Sequence, residues 1–131
     1  MNKPKFRAWK KIRIQEMFDE VVAIDWLNNK IKIKYPNPGG NTFRIDEESL
    51  DNVILMQYTG LKDKNGVEIF GKDFVEGFYG GTYVKGVIQF IDGCHCLQRI
   101  GDFHAICLFE VDNRNILGSI HANPELLNEV E

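Results

Sequence analysis

The clearest signal in the chain is a period-two alternation at Lys30–Ile31–Lys32–Ile33–Lys34–Tyr35. Ile31, Ile33 and Tyr35 fall on one face of an extended strand, and the three lysines on the other. The preceding run, Val21 to Leu27, is also β-prone. Asn28–Asn29 stands between the two runs, and Asn tolerates the positive φ of a type I′ turn. The pattern predicts a hairpin over 21–35 with a two-residue turn. Its lysine comb reads as a solvated face, of the kind that protects an edge strand.

Extended signals continue along the rest of the chain. Pro36–Asn41 is a Pro/Gly loop, Thr42–Ile45 a short strand, and Asp46–Leu50 a helical turn begun by Asp46. Val53–Tyr58 leads into a corner at Thr59–Gly60, a turn through Asp63 to Gly66, and a second strand through Ile69–Phe70. Asp73–Tyr79 and Thr82–Phe90 flank a Gly80–Gly81 turn. Asp92–Gly93, Gly101–Asp102 and Asp112–Asn113 then separate strands at Cys94–Ile100, Phe103–Glu110 and Asn115–His121. Gly77 and Gly86 fall inside strands and are candidates for bulges or sharp bends. One helix is predicted, at the end: Asn123 as cap, Pro124 in the first turn, then Leu126, Leu127 and Val130. The expected architecture is mostly β. Residues 1–58 form a small N-terminal subdomain, and residues 59–131 form an antiparallel meander curling into a barrel, followed by a short helix.

Composition narrows the class. The chain has 131 residues, 44% hydrophobic and 27% charged, which is enough to form a core without disulfides or metal. No apolar run reaches the ~20 residues of a membrane helix, and no signal peptide is recognisable. Three cysteines, an odd number, suit reduced thiols in a bacterial cytoplasm. The net charge of −3 is unevenly spread. Residues 1–34 carry nine bases against four acids, a balance of +5, and residues 35–131 carry seven against fifteen, a balance of −8.

The basic front contains Lys3, Lys5, Arg7, Lys10, Lys11 and Arg13, with Phe6 and Trp9 among them. Bases beside aromatics can form stacking platforms for single-stranded nucleic acid. The competing reading is that the segment docks on acidic surface, in its own chain or a second copy, with Trp9 as a core anchor. The anionic remainder limits the first reading to weak, salt-sensitive binding. Cys94, His95, Cys96, His104 and Cys107 offer soft ligands within fourteen residues, but no C-x₂-C knuckle. A Cys–His nucleophile is disfavoured too, because His95 points away from Cys94 on a strand. Asp63, Asp73, Asp92 and Asp102 lie at turns, where Asp serves geometry. The expectation is no metal, no cofactor and no catalytic site.

Three segments carry a resemblance. Lys5–Phe6–Arg7–Ala8–Trp9 opens the chain. Met56–Gln57–Tyr58–Thr59–Gly60–Leu61 with Asp63, Asn65–Gly66 and Ile69–Phe70 forms the centre. Ile116–Leu117–Gly118–Ser119–Ile120 followed by Asn123–Pro124–Glu125–Leu126–Leu127 closes it. Together they resemble the YopX family of phage and prophage proteins. One departure stands at Gly71–Lys72–Asp73, where the family usually has Glu-Gly-Asp, so a carboxylate at that first position is absent. The resemblance implies an all-β protein, an SH3-like barrel in the C-terminal half, and a homo-oligomer. It marks Trp9, Gln57, Tyr58, Thr59, Gly60, Asp63, Gly66, Asp73, Gly118, Asn123 and Pro124 as structural family positions. The function expected is a non-catalytic protein-interaction or self-assembly module whose partner is a second copy or a host or phage protein. The alternative is an accessory nucleic-acid-binding protein using the basic front.

Overall fold

The computed structural model describes residues 5–13, 15–101 and 104–128. The chain divides into two compact units, Met1–Gln57 and Tyr58–Glu131. Both are built from antiparallel strands.

In the first unit, β1 (Phe6–Lys10) lies between β2 (Glu16–Phe18) and the start of β6 (Val53–Lys62). Ala8 pairs with Phe18 on one side and Leu55 on the other. A second sheet runs β3 (Val21–Asp25), β4 (Lys30–Pro36), β5 (Phe43–Ser49), in that spatial order. Ile31 and Ile33 of β4 are buried with Ala8, Phe18 and Val53. The alternation therefore reads correctly: the two isoleucines face the core and Lys30 and Lys32 face outward.

Several local expectations need correction. β4 is the central strand of its sheet and not an edge, because β5 pairs with it over seven residues, from Lys30↔Ser49 to Pro36↔Phe43. The acidic run Asp46–Glu48, expected to begin a helical turn, instead continues β5, where Glu47 lies opposite Lys32. The turn comes later, as a 3₁₀ helix at Leu50–Asn52 capped by the Ser49 hydroxyl. Register Asp25↔Lys30 makes the first hairpin turn four residues long, so Trp26 and Leu27 leave the strand. Trp9 is only half-buried; the small Ala8 is the fully buried residue of β1.

In the second unit, the end of β6 pairs with β7 (Glu68–Phe70). β8 (Asp73–Tyr79), β9 (Thr82–Ile91), β10 (Cys94–Arg99) and β11 (Ala105–Cys107) then form the predicted meander. β12 (Asp112–Ser119) returns to pair with β8, giving the order β11-β10-β9-β8-β12. This antiparallel sheet curls into a half-barrel around Ile69, Val75, Val84, Ile88, Leu97, Leu108 and Val111. Among the described residues no ladder joins β11 to β12. The Gly80–Gly81 and Asp92–Gly93 turns form as read, with positive φ at all four residues.

The strand expected over 103–110 stops at Cys107 and tightens into a 3₁₀ turn, Leu108–Glu110, which buries Leu108 in the core. Neither Gly77 nor Gly86 is itself the inserted residue of a bulge, though the β8–β12 register shift falls opposite Gly77. Between β8 and β9 they hold regular register with Val84 and Val75. A Cβ on Gly77 would sit 2.5 Å from Val111 Cγ1, and one on Gly86 would overlap the Gln98 carbonyl. Close packing of backbones requires glycine at both places. The bulge nearest Gly77 is on the partner strand, between Asp112 and Asn115 of β12. The terminal helix is 3₁₀, Pro124–Asn128, and Val130 lies outside the described residues.

Candidate interaction surface

Among the described residues of the first unit, the β3–β4 turn presents the most exposed large apolar side chains. Trp26 is 68% and Leu27 92% exposed. The turn is held from its base: the Asp25 carboxylate accepts from the Asn28 backbone N–H at 3.1 Å and from Asn28 Nδ2 at 2.8 Å. The Asn28 side chain, then its backbone N–H, keep the Asp25 carboxyl below the usual carboxylate range. Asn29 supplies the positive φ, at 59°, that closes the loop into β4. This fixed turn holds a large aromatic and an aliphatic side chain in water. Sequence reasoning missed it by assigning Trp26 and Leu27 to the strand. The Asp-x-x-Asn spacing around them was the available signal for a side-chain-stabilised turn.

Among the described residues the basic front does not gather into one patch. Lys3 lies outside the described residues. On β1, Arg7 projects to one face and Lys10 to the other, while Lys11 and Arg13 occupy the exposed connection to β2. Lys10 Nζ is 3.7 Å from Glu48 Oε2 on β5. Of the lysine comb, Lys34 alone has an ion-pair partner among the described residues, while Lys30 and Lys32 are exposed. Lys34 Nζ lies 4.0 Å from Glu20 and 4.4 Å over the Phe43 ring, and Arg44 binds Asp46 at 2.9 Å while stacking 4.6 Å from the Tyr35 ring centre. Tyr35 in turn donates to Glu16 at 3.0 Å. Counted by unit, the first holds ten bases against eight acids, a balance of +2. Much of the basic excess of residues 1–34 is thus met by acids of β5 and the turn after it.

From Tyr58 onward, the family positions build the scaffold of the second unit. The Thr59 hydroxyl donates to the Ile69 carbonyl at 2.8 Å and accepts from Leu61 N–H at 3.2 Å, which fixes the corner where Gly60 takes φ 86°. Tyr58 packs on Phe70 with ring centres 5.5 Å apart, while Gln57 is exposed at the end of the first unit. Asp63 is 8% exposed. Its Oδ1 accepts from Asn65 and Val67 N–H, both at 2.9 Å, and its Oδ2 from Ile116 N–H at 3.3 Å. Burial raises the Asp63 pKa, but the three backbone donors outweigh it and hold the carboxyl below its ordinary range. Gly66 closes that loop at φ 82°. Asp73, 1% exposed, accepts from Phe70 N–H at 2.9 Å. Where the family has glycine, Lys72 adopts φ 71°. At the other end, Asn123 Oδ1 accepts from Ser119 N–H, and a Cβ on Gly118 would meet that oxygen at 2.5 Å. Pro124 begins the terminal 3₁₀ turn. These carboxylates and amides are committed to backbone groups, which leaves them poorly placed for proton transfer.

The cysteines and histidines do not meet at one common point. Cys94 Sγ is 3.2 Å from Cys107 Sγ, while the buried Cys96 contacts the Cys94 carbonyl. His95 packs edge-on against Phe90, 4.8 Å between ring centres, and its buried Nδ1 has no hydrogen-bond partner. Burial lowers the His95 pKa, so the ring is held neutral. Among the described residues, no three His, Cys, Asp or Glu side chains are grouped as metal ligands would be.

Comparison with known proteins gives a consistent placement. The family model described as YopX protein matches residues 5–128. No curated protein matches the chain. The crystal structure of protein EF1440 from Enterococcus faecalis is similar at 30% identity and a TM-score of 0.65, over 95% of this chain and 98% of that one. Protein YopX from Bacillus subtilis is similar at 19% identity and a TM-score of 0.57, over 93% and 96% of the two chains; that likeness speaks for the fold alone. With the family model spanning nearly all of its length and most of its motif residues forming the scaffold of the half-barrel, the chain belongs to the YopX family.

Proposed function

We propose that this protein is a non-catalytic self-assembly module, phage-encoded and acting in the bacterial cytoplasm, that uses the β3–β4 turn as its contact. The observation that carries the reading is the fixed, water-exposed pair Trp26–Leu27. Tryptophan is enriched at the energetic centres of interfaces, and a turn already ordered loses little entropy on binding. The commitment of Asp63 and Asp73 to backbone amides supports a role without catalysis. The internal pairing of Lys10 and Lys34 speaks for a protein partner over nucleic acid.

Light scattering across a tenfold concentration range near 10 μM tests it, since an interface of ordinary affinity is filled there. The expected result is a mass above one chain for the parent protein and a monomer for Trp26→Ala/Leu27→Ala with unchanged circular dichroism. A second readout uses Trp9→Phe, which leaves Trp26 as the only tryptophan. Its emission should shift to shorter wavelength as the oligomer forms. A parent protein that stays monomeric would end the self-assembly reading. A mobility shift with single-stranded DNA at physiological salt, unaffected by the turn mutations, would favour the nucleic-acid alternative.

A further inference from the structure

Cys94 opens β10 directly after the Asp92–Gly93 turn, and Cys107 is the last residue of β11. The ladder places Cys107 opposite Cys96. Cys94, two residues away on the same strand, shares that face. The chain turns into the 3₁₀ helix at Leu108, just beyond Cys107. The two sulfurs of Cys94 and Cys107 come to 3.2 Å, and both residues are partly open to solvent. Cys96, the directly opposed residue, is buried, and its sulfur is directed at the Cys94 carbonyl. Two of the three thiols are therefore paired and reachable, and the third is neither.

We infer that Cys94 and Cys107 form a reversible disulfide, an oxidation site that fastens the outermost strand of the half-barrel to its neighbour. The oxidant class is a small-molecule disulfide such as glutathione disulfide. The Cys94 thiolate attacks its S–S bond, forming a mixed disulfide and releasing one glutathione thiolate. The Cys107 thiolate then attacks the Cys94 sulfur, forming the protein disulfide and releasing the second glutathione. The protein loses two electrons and two protons, and the glutathione disulfide gains them as two thiols. The order follows from the contact: the bond to Cys94, then burial, pushes the Cys107 thiol up, which makes it the slower attacker and the resolving group. The sulfurs need to close by roughly 1 Å to reach bonding distance, within reach of side-chain rotation. β11 is only three residues long, so a covalent tie adds substantially to what holds it.

Equilibration of the native protein in reduced and oxidised glutathione, followed by acid quench and mass spectrometry, tests the inference. The expected product has lost about 2 Da, retains one free thiol, and yields a linked pair of tryptic peptides, Gly86–Arg99 with Ile100–Arg114. Fragmentation between Cys94 and Cys96 should place the bond on Cys94 and the free thiol on Cys96. Cys96→Ala should keep the cross-link, and Cys94→Ser should give only a glutathione adduct. In urea the same buffer should yield severalfold less of the 94–107 link. A native protein that accumulates only single glutathione adducts, a bond found on Cys96, or a yield unchanged in urea would each overturn the proposal. The wild-type fragmentation decides the matter even if a serine variant fails to fold.

Discussion

Replacing Asp63 tests whether the family carboxylates are scaffold. Asp63→Ala removes the acceptor for three backbone N–H groups, those of Asn65, Val67 and Ile116. A hydrogen bond to a charged group is worth about 1.5–3 kcal/mol net. Asn65 and Val67 are exposed, so their amides regain water, and about 1 kcal/mol each is the fitting charge. Ile116 is half-buried on β12, and its stranded N–H costs about 1–2 kcal/mol. The total is about 3–4 kcal/mol, a large share of the stability of a domain this size. Asp63→Asn keeps one carbonyl oxygen for the turn but turns an amide NH₂ toward Ile116 N–H, so about half that loss is expected. The pH dependence separates the carboxylate from mere bulk. The folded pKa of Asp63 is depressed, so its contribution is present above the unfolded value near 3.9 and is lost as pH falls through the folded value. The difference between parent and alanine variant should therefore shrink below about pH 4. Urea unfolding followed by far-ultraviolet circular dichroism at pH 7 and in acid measures both. A loss under about 1 kcal/mol, or a gap that does not narrow in acid, would refute the reasoning.

Two further outcomes follow from close packing and from charge. Gly86→Ala should cost about 3 kcal/mol or more in the same unfolding assay, because the new Cβ meets the Gln98 backbone, which has no flexible end to yield. Tyr83 is pushed up to about 12, first by burial and then by its bond to Glu76 at 2.7 Å, so ultraviolet titration should show a late step that Tyr83→Phe removes; because the folded value is raised, stability is lost as pH climbs from about 10 toward 12.

Much of the second unit was legible because its information is local. Gly80–Gly81 and Asp92–Gly93 dictate tight turns whatever surrounds them, and the strands on either side follow. Errors arose where a distant partner decides. The lysine comb of β4 has the same sequence whether the strand is central or an edge, and only the arrival of β5 settles it. Asp46–Glu48 has the composition of a helix start, but pairing opposite Ile33, Lys32 and Ile31 keeps it extended. Gly77 and Gly86 suggested bulges or bends, whereas what they admit are the backbones at Asp112 and Gln98, which come from other strands. The motif positions were legible as a family pattern, whereas their joint service to backbone amides depends on β12 returning to the Asp63 loop. The Trp26–Leu27 surface was hidden because apolar residues beside a strand look like more strand.

The half-barrel has two sheet edges of unequal openness. Along β12, the Arg114 carbonyl accepts from Lys64 N–H at 2.7 Å and Ile116 N–H is taken by Asp63, so the Asp63 loop occupies positions where another strand would pair. Along the outer side of β11, no strand pairs among the described residues. A sheet with two open edges can add copies at both ends and grow into a filament, whereas one with a single open edge can at most join edge to edge with its like and stop. With β12 sealed by the Asp63 loop, β11 is the one described edge of this sheet left open to strand addition, so the residue that stabilises the fold also removes one of its two strand-pairing edges.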